Sequence, residues 1–337
     1  MSAPAPTVPP AAGSSAASDA DLQGVRDGVR DLLDRLDPSG RALPRLAWAS
    51  LVTNILLVVT GGAVRLTGSG LGCPTWPSCT EDSLVNTPAY GIHGYVEFGN
   101  RLLTFVLTGV ALATFVVALL DRLARRRGPA SLRIALALLL GIPLQAVIGG
   151  ITVLTKLNPW VVMLHFLASM LLVGLATWLI RRSQETDAPA RPLVPTAVRG
   201  LAVGVLATLV AVLYVGAVVT GSGPHAGDAQ AHRTGLDPRS VSQLHADLVF
   251  LLVGLTVGLW VLLLVLGAAA PARRAAAVLL GVELAQGVVG FVQYFTHLPV
   301  VLVAAHMLGA ALLTAAAVHA LLTLRTRPAH TPVIVKG

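Results

Sequence analysis

Four histidines stand near the starts of long apolar stretches in this chain: His93, His165, His245 and His306. An ionisable side chain in such a stretch is costly to bury and is expected to serve a site with its partner facing inward. One such histidine is as readily a hydrogen-bonded packing residue. Four at a similar depth argue for ligands. Two imidazoles from facing helices are a natural axial pair for haem iron. Zinc would want three or four protein ligands, and no carboxylate or cysteine cluster accompanies these histidines. The remaining histidines, His225, His232, His297, His319 and His330, are read as solvated or structural.

One stretch adds a carboxylate. It runs Ile92-His93-Gly94-Tyr95-Val96-Glu97-Phe98-Gly99-Asn100-Arg101. His93, Glu97 and Asn100 stand at i, i+4 and i+7, so a helix presents all three on one face. A carboxylate in an apolar setting can exchange protons with a bound molecule. The plainer alternative is that Glu97 pairs with Arg101 at i, i+4 and only steadies the helix. After His245 the nearest acid is Asp247, two residues on and facing elsewhere. Histidines alone suit a fixed electron-transfer haem, whereas histidine with Glu97 suits chemistry on a bound molecule. Arg101 and Arg65 are the cations that could meet a haem propionate.

The elements that must position these groups are membrane helices. Hydrophobic residues make up 55% of the 337 positions and charged residues 12%, more apolar surface than a soluble domain can hide. Apolar runs near 45–65, 92–120, 133–153, 160–180, 198–219, 241–266, 275–295 and 300–322 are each long enough to cross a hydrocarbon core of about 30 Å. Nothing alternates as a membrane barrel would. The expected fold is therefore an all-α integral membrane protein, its eight transmembrane helices forming two pseudo-symmetric four-helix bundles.

An internal repeat defines the halves. LLLGIPLQAVIGGITVLTKLNPWVVMLHFLASMLL echoes LLGVELAQGVVGFVQYFTHLPVVLVAAHMLGAALL, and Gln145 precedes His165 by the same 20 residues that separate Gln286 from His306. VVTGGAVRLTGSG at the end of the first span echoes VVTGSG at the end of the fifth. Each half has an even number of spans, so the halves point the same way, related by an axis along the membrane normal. The expected organisation is an N-terminal segment (1–44), a first half with the substrate site and cysteine loop (45–180), a linker (181–197), a second half with histidines alone (198–322) and a tail (323–337).

Most of the 24 Lys and Arg residues fall before the first span, between the even- and odd-numbered spans, or in the tail. That asymmetry puts both termini in the cytoplasm. It also makes the net charge of +8 a matter of topology and not of nucleic-acid binding. Cys73 and Cys79 then lie in an extracytoplasmic loop, where a disulfide is expected, with two unpaired thiols as the alternative. Residues 2–17 read as disordered and 19–36 as a short surface helix weakened by Gly24 and Gly28. No cleavable signal peptide is expected.

The stretch Gly61-Gly62-Ala63-Val64-Arg65-Leu66-Thr67-Gly68-Ser69-Gly70-Leu71-Gly72-Cys73-Pro74-Thr75-Trp76-Pro77-Ser78-Cys79 resembles the first extracytoplasmic loop of the haem A synthase family. Glu97-Phe98-Gly99-Asn100-Arg101, His165, His245 and His306 extend the resemblance over about residues 45–322. It implies a cell-membrane enzyme that oxidises the C8 methyl of haem O to a formyl group. Oxygen would come from water and electrons would pass through a haem b held by His245 and His306. Glu97 would be catalytic. Lipid surrounds such a protein, and the farnesyltransferase that forms haem O is the expected partner, with oligomers open. A diheme b-type electron-transfer protein is the second reading, since it needs no Glu97; a parallel-repeat transporter is the third. The chain departs from the family at one place: Asn100 stands where the helix motif has histidine. Either His93, two turns earlier on the same face, substitutes, or His165 alone holds the substrate iron.

Overall fold

The computed structural model describes residues 14–80, 83, 85, 91–229 and 231–329. Eight of its helices are long and apolar enough to cross a membrane. They are α2 (Ala42–Leu66), α3 (Gly91–Leu123), α4 (Pro129–Leu154), α5 (Pro159–Arg182), α6 (Thr196–Ser222), α7 (Pro238–Val265), α8 (Ala270–Phe295) and α9 (Val300–Thr323). Each lies within a few residues of the span expected from hydropathy. The protein is a multi-pass membrane protein. A further helix, α1 (Ser14–Leu36), precedes them. It covers the expected surface helix but starts earlier, so residues 14–17 are helical, contrary to the disorder expected there; residues 2–13 of that segment lie outside the described residues.

The halves pack alike. In the first, α2 meets α3 and α5, α3 meets α4, and α4 meets α5; in the second, α6 meets α7 and α9, α7 meets α8, and α8 meets α9. Between halves, α2 packs on α9, α6 on α5, and α5 on α9. Exchanging α2 with α6 and α5 with α9 maps this set onto itself, which is a pseudo-twofold relation. Leu209, Leu252, Leu259, Leu263 and Leu279 fill the second half's interior, whereas Phe105, Phe250 and Phe295 point outward to meet lipid.

Matching turns join the last two helices of each half. Lys156 and Leu157 take left-handed φ values of 51° and 58°, and His297 and Leu298 take 64° and 61°. Such values are uncommon for residues other than glycine. In each turn a proline follows, Pro159 and Pro299, which suits the first turn of the next helix. Asn158 caps α5 by accepting from the Trp160 amide at 3.0 Å. Asp237 caps α7, accepting from the Ser240 amide and hydroxyl at 2.9 and 2.6 Å. Those donors hold its carboxyl below the usual carboxylate range.

The two ends of the bundle differ. At one end, Arg127 is buried between Asp121 Oδ2 (2.8 Å), the Gly40 carbonyl (2.7 Å) and the Ser183 carbonyl. Beside it, buried Arg182 meets Glu185 at 3.1 Å and also Asp187. A two-residue pairing of β1 (Arg191–Pro192) with β2 (Arg325–Thr326) ties the linker to the segment after α9. We call this the basic end. Arg127→Met is expected to cost about 3–5 kcal/mol, because Asp121 would be left buried without its partner. A fluorescence-monitored melt in detergent reads this directly. An unchanged midpoint would mean that water already reaches the pair.

Candidate functional site

The opposite end carries the cysteine loop, and the side chains singled out in α3 build it. Cys73 and Cys79 are joined in a disulfide with Cα atoms 4.4 Å apart, and both residues are fully buried. Glu97, 6% exposed, accepts from the Cys73 amide at 2.7 Å through Oε2 and from Arg101 at 2.6 Å through Oε1. Arg101 also donates to the carbonyls of Cys73, Thr75 and Ser78, each at 3.3 Å. One carboxylate and one guanidinium thus dock the whole loop onto α3. The i, i+4 pair is present, but it does more than steady a helix. Trp76 of the same loop lies over Gly150 of α4, where a Cβ would collide with the indole.

Three histidines share one local design. A Cβ built on Gly149 would lie 3.4 Å from His165 Cε1, one on Gly216 would lie 2.9 Å from His245 Cε1, and one on Gly290 would lie 3.6 Å from His306 Cε1. Each ring thus rests against a glycine of the preceding helix, and at Gly216 even a Cβ would press on it. The fourth member of the set is not a histidine. Gly61 of α2 faces Asn100, whose Nδ2 is 4.0 Å from the built Cβ. His93 stands elsewhere: it is exposed, and its Nδ1 lies 2.9 Å from Ser69 Oγ. Asn100 instead accepts from Thr60 Oγ1 at 2.7 Å.

The rings of His245 and His306 lie 6.4 Å apart, with their planes at 72°. A ring nitrogen sits about 1.1 Å from its ring centre, and metal–imidazole bonds are about 2.0–2.1 Å, so one metal atom spans this gap. The Nδ1 atoms of His165, His245 and His306 are buried without a well-formed hydrogen bond. Among the described residues, no three His, Cys, Asp or Glu side chains converge on a metal position. A metal held here would therefore take its other ligands from a macrocycle, and the donor set, the glycine cradles and the ring separation all fit haem.

Two further details locate what the sequence showed only as echoes. Gln145 Nε2 donates to the His165 carbonyl at 3.2 Å, and Gln286 Nε2 to the His306 carbonyl at 2.8 Å. The conserved 20-residue offset within the repeat is thus a clamp between paired helices. Arg65 is half-buried between the halves, donating to the His225 carbonyl at 2.6 Å and the Thr220 carbonyl at 2.9 Å. His225 in turn bonds the Leu298 carbonyl at 2.9 Å through Nε2, the structural role expected of it.

The model of the COX15-CtaA family, cytochrome oxidase assembly proteins, matches residues 44–318. The chain belongs to this family. Similar proteins include a "Heme A synthase" of Lysinibacillus sphaericus, 32% identical over 140 residues, which are 40% of this chain and 44% of that protein. Another, from Shewanella oneidensis, is 28% identical over 177 residues, 47% of this chain and 53% of the relative. A "Protoheme IX farnesyltransferase" of Thermus thermophilus is 34% identical over 83 residues, 24% of this chain and 13% of that protein. The matches thus span about half the length of these synthases.

The approach of Gly61 to Asn100 gives the histidine expected at this position from the resemblance a testable place. Asn100→His is expected to fold, since the glycine opposite leaves room, and to set an imidazole where the repeat has its other three. Haem affinity of the first half should then rise by at least the roughly tenfold that even an outer-shell change can produce. Optical titration in the His245→Ala/His306→Ala background isolates that half. Unaltered affinity and spectrum would show that Asn100 does not face the bound iron.

Proposed function

We propose that this protein is a haem A synthase, oxidising the C8 methyl of haem O to a formyl group. The observation that carries the reading is an asymmetry within a symmetric frame. Both halves place side chains against glycines in the same way, but only the first sets a buried carboxylate, Glu97, beside a disulfide loop at that end.

In this reading His245 and His306 would hold a haem b, which would supply the one-electron redox chemistry of the second half. The first half would receive haem O as substrate, its iron held by His165 with His93 substituting for the second ligand, or by His165 alone. Converting a methyl to a formyl group with oxygen from water releases four electrons and four protons. Glu97 lies close enough to the docked loop to stabilise positive charge developing on the methyl carbon and to take up a proton at Oε2. Arg101 fixes the direction of that carboxylate and holds the loop that closes the site from water. Arg65 joins the two halves at this end through the His225 and Thr220 carbonyls. The bound group supplies the redox chemistry, and the chain supplies position and electrostatics.

The disulfide end faces away from the cytoplasm in this reading, with both termini inside, as the Lys and Arg distribution favours. A protein named for farnesyl transfer to protohaem contains a stretch similar to this chain, which supports a haem O-forming enzyme as the supplier of substrate. The test is direct. Purified protein is incubated with haem O and an electron acceptor, and extracted haems are resolved by chromatography and mass spectrometry. Haem A is the expected product. Two bound b-type haems with no conversion would favour the diheme electron-transfer reading instead.

A further inference from the structure

One buried acid has no part in the reading above. Glu283 lies at the middle of α8 and is 2% exposed. Its Oε1 accepts from Thr256 Oγ1 of α7 at 2.8 Å, and its Oε2 is buried with no hydrogen-bond partner. Leu252, Leu259 and Leu279 fill the interior of the same half. An enclosed carboxyl oxygen without a donor is costly, and a proton is the smallest ligand that removes the cost. Helices α7 and α9 pack against α8. They bring Arg239, His245 and Asp247, and His306 and His319; α8 itself carries Arg273 and Arg274. None of these forms an ion pair with Glu283 among the described residues.

Glu283 shares a face of α8 with Gln286 and Gly290, at i, i+3 and i+7. Gln286 clamps the His306 carbonyl, and Gly290 carries the His306 ring. At 1.5 Å per residue, Glu283 lies about 10 Å along the helix from that ring's level. A unit charge at about 10 Å, with an effective dielectric of about 20, changes a proton equilibrium by roughly tenfold.

We propose that Glu283 is a redox-linked proton site of the second half. When the haem held by His245 and His306 gains one electron, the proton affinity of the Glu283 carboxylate rises about tenfold, so its protonated fraction grows on reduction and falls again when the electron leaves. During turnover the electron comes from the methyl carbon being oxidised. The linkage keeps the buried charge nearly constant, which is what a low-dielectric bundle favours. The proposal rests on the haem b reading of that site.

Purified full-length protein with its haem is reduced chemically, and infrared difference spectra are recorded against the oxidised form. Reduction is expected to produce a carboxylic acid C=O band that Glu283→Gln removes. The midpoint potential should fall with rising pH in the unaltered protein. Glu283→Gln should flatten that dependence, by up to the 59 mV that a tenfold linkage gives for one electron. Thr256→Val keeps the carboxyl but removes its donor, so the band should persist at a moved frequency. A band and slope retained in Glu283→Gln would overturn the proposal, as would a potential independent of pH in the unaltered holoprotein. Should Glu283→Gln fail to hold haem, an unmoved band in Thr256→Val overturns it. Absence of any bis-histidine haem spectrum from the unaltered protein would overturn the site reading first, and this proposal with it.

Discussion

Replacing His245 and His306 together with alanine is expected to abolish the low-spin haem b spectrum while leaving the protein folded. The fold should survive because the buried Nδ1 atoms of both rings lack a well-formed hydrogen bond to a neighbouring helix. The helix pair α8–α9 is clamped through the His306 backbone carbonyl by Gln286, and alanine keeps that carbonyl. The rings themselves face glycines, Gly216 and Gly290, so truncation opens space where a group is held and not where helices lock. Each single substitution removes one of two axial ligands and should weaken binding and convert the spectrum to high spin. The double variant should bind nothing in the second half, read as loss of the reduced haem b bands at unchanged yield and helical circular dichroism. Full absorbance in the double variant would place haem b elsewhere and end the assignment.

The spans were legible because lipid enforces length and composition together. An apolar run of about 20 residues has few alternatives to a helix. The repeat was equally open to reading, since the glutamine–histidine offset survives in both halves. What the linear order hid is which neighbour each group meets. His93 and Asn100 share a helical face, so spacing alone does not say whether His93 can stand in for the ligand expected at Asn100. Only the crossing of α2 and α3 shows that Asn100 has the glycine opposite and that His93 turns to Ser69 in the loop. Sequence position marks Arg65 and Arg101 as cations for an anionic ligand. Backbone carbonyls distant in sequence meet both, and a carbonyl leaves no mark on sequence pattern. Glu283 is hidden in the linear order for a related reason. It sits mid-span, away from the histidines at helix starts, with its Thr256 partner 27 residues away. A lone glutamate within an otherwise uncharged span was the available signal.

Glu97→Gln is expected to lose haem A production by on the order of 10²–10³-fold, the range seen when one electrostatic stabiliser of a transition state is removed. The substitution preserves size, and the docked loop should remain in place. Arg101 keeps its carbonyl partners at Cys73, Thr75 and Ser78, and the glutamine oxygen can still accept from the Cys73 amide. Its nitrogen would then face the Arg101 guanidinium as a second donor, which removes the charge-assisted bond and tilts the amide. Folding, the Cys73–Cys79 disulfide and haem b content should therefore survive, while conversion of haem O stalls or yields partly oxidised haem. Arg101→Gln serves as the companion variant. It keeps the carboxylate but frees the loop, so a purely structural role for Glu97 predicts equal losses in the two. Chemistry at the carboxylate predicts the larger loss for Glu97→Gln at matched substrate binding, with kcat falling and KM nearly unchanged. Wild-type turnover in Glu97→Gln would reduce Glu97 to the partner of Arg101 and move the search for the catalytic group to another residue of the first half.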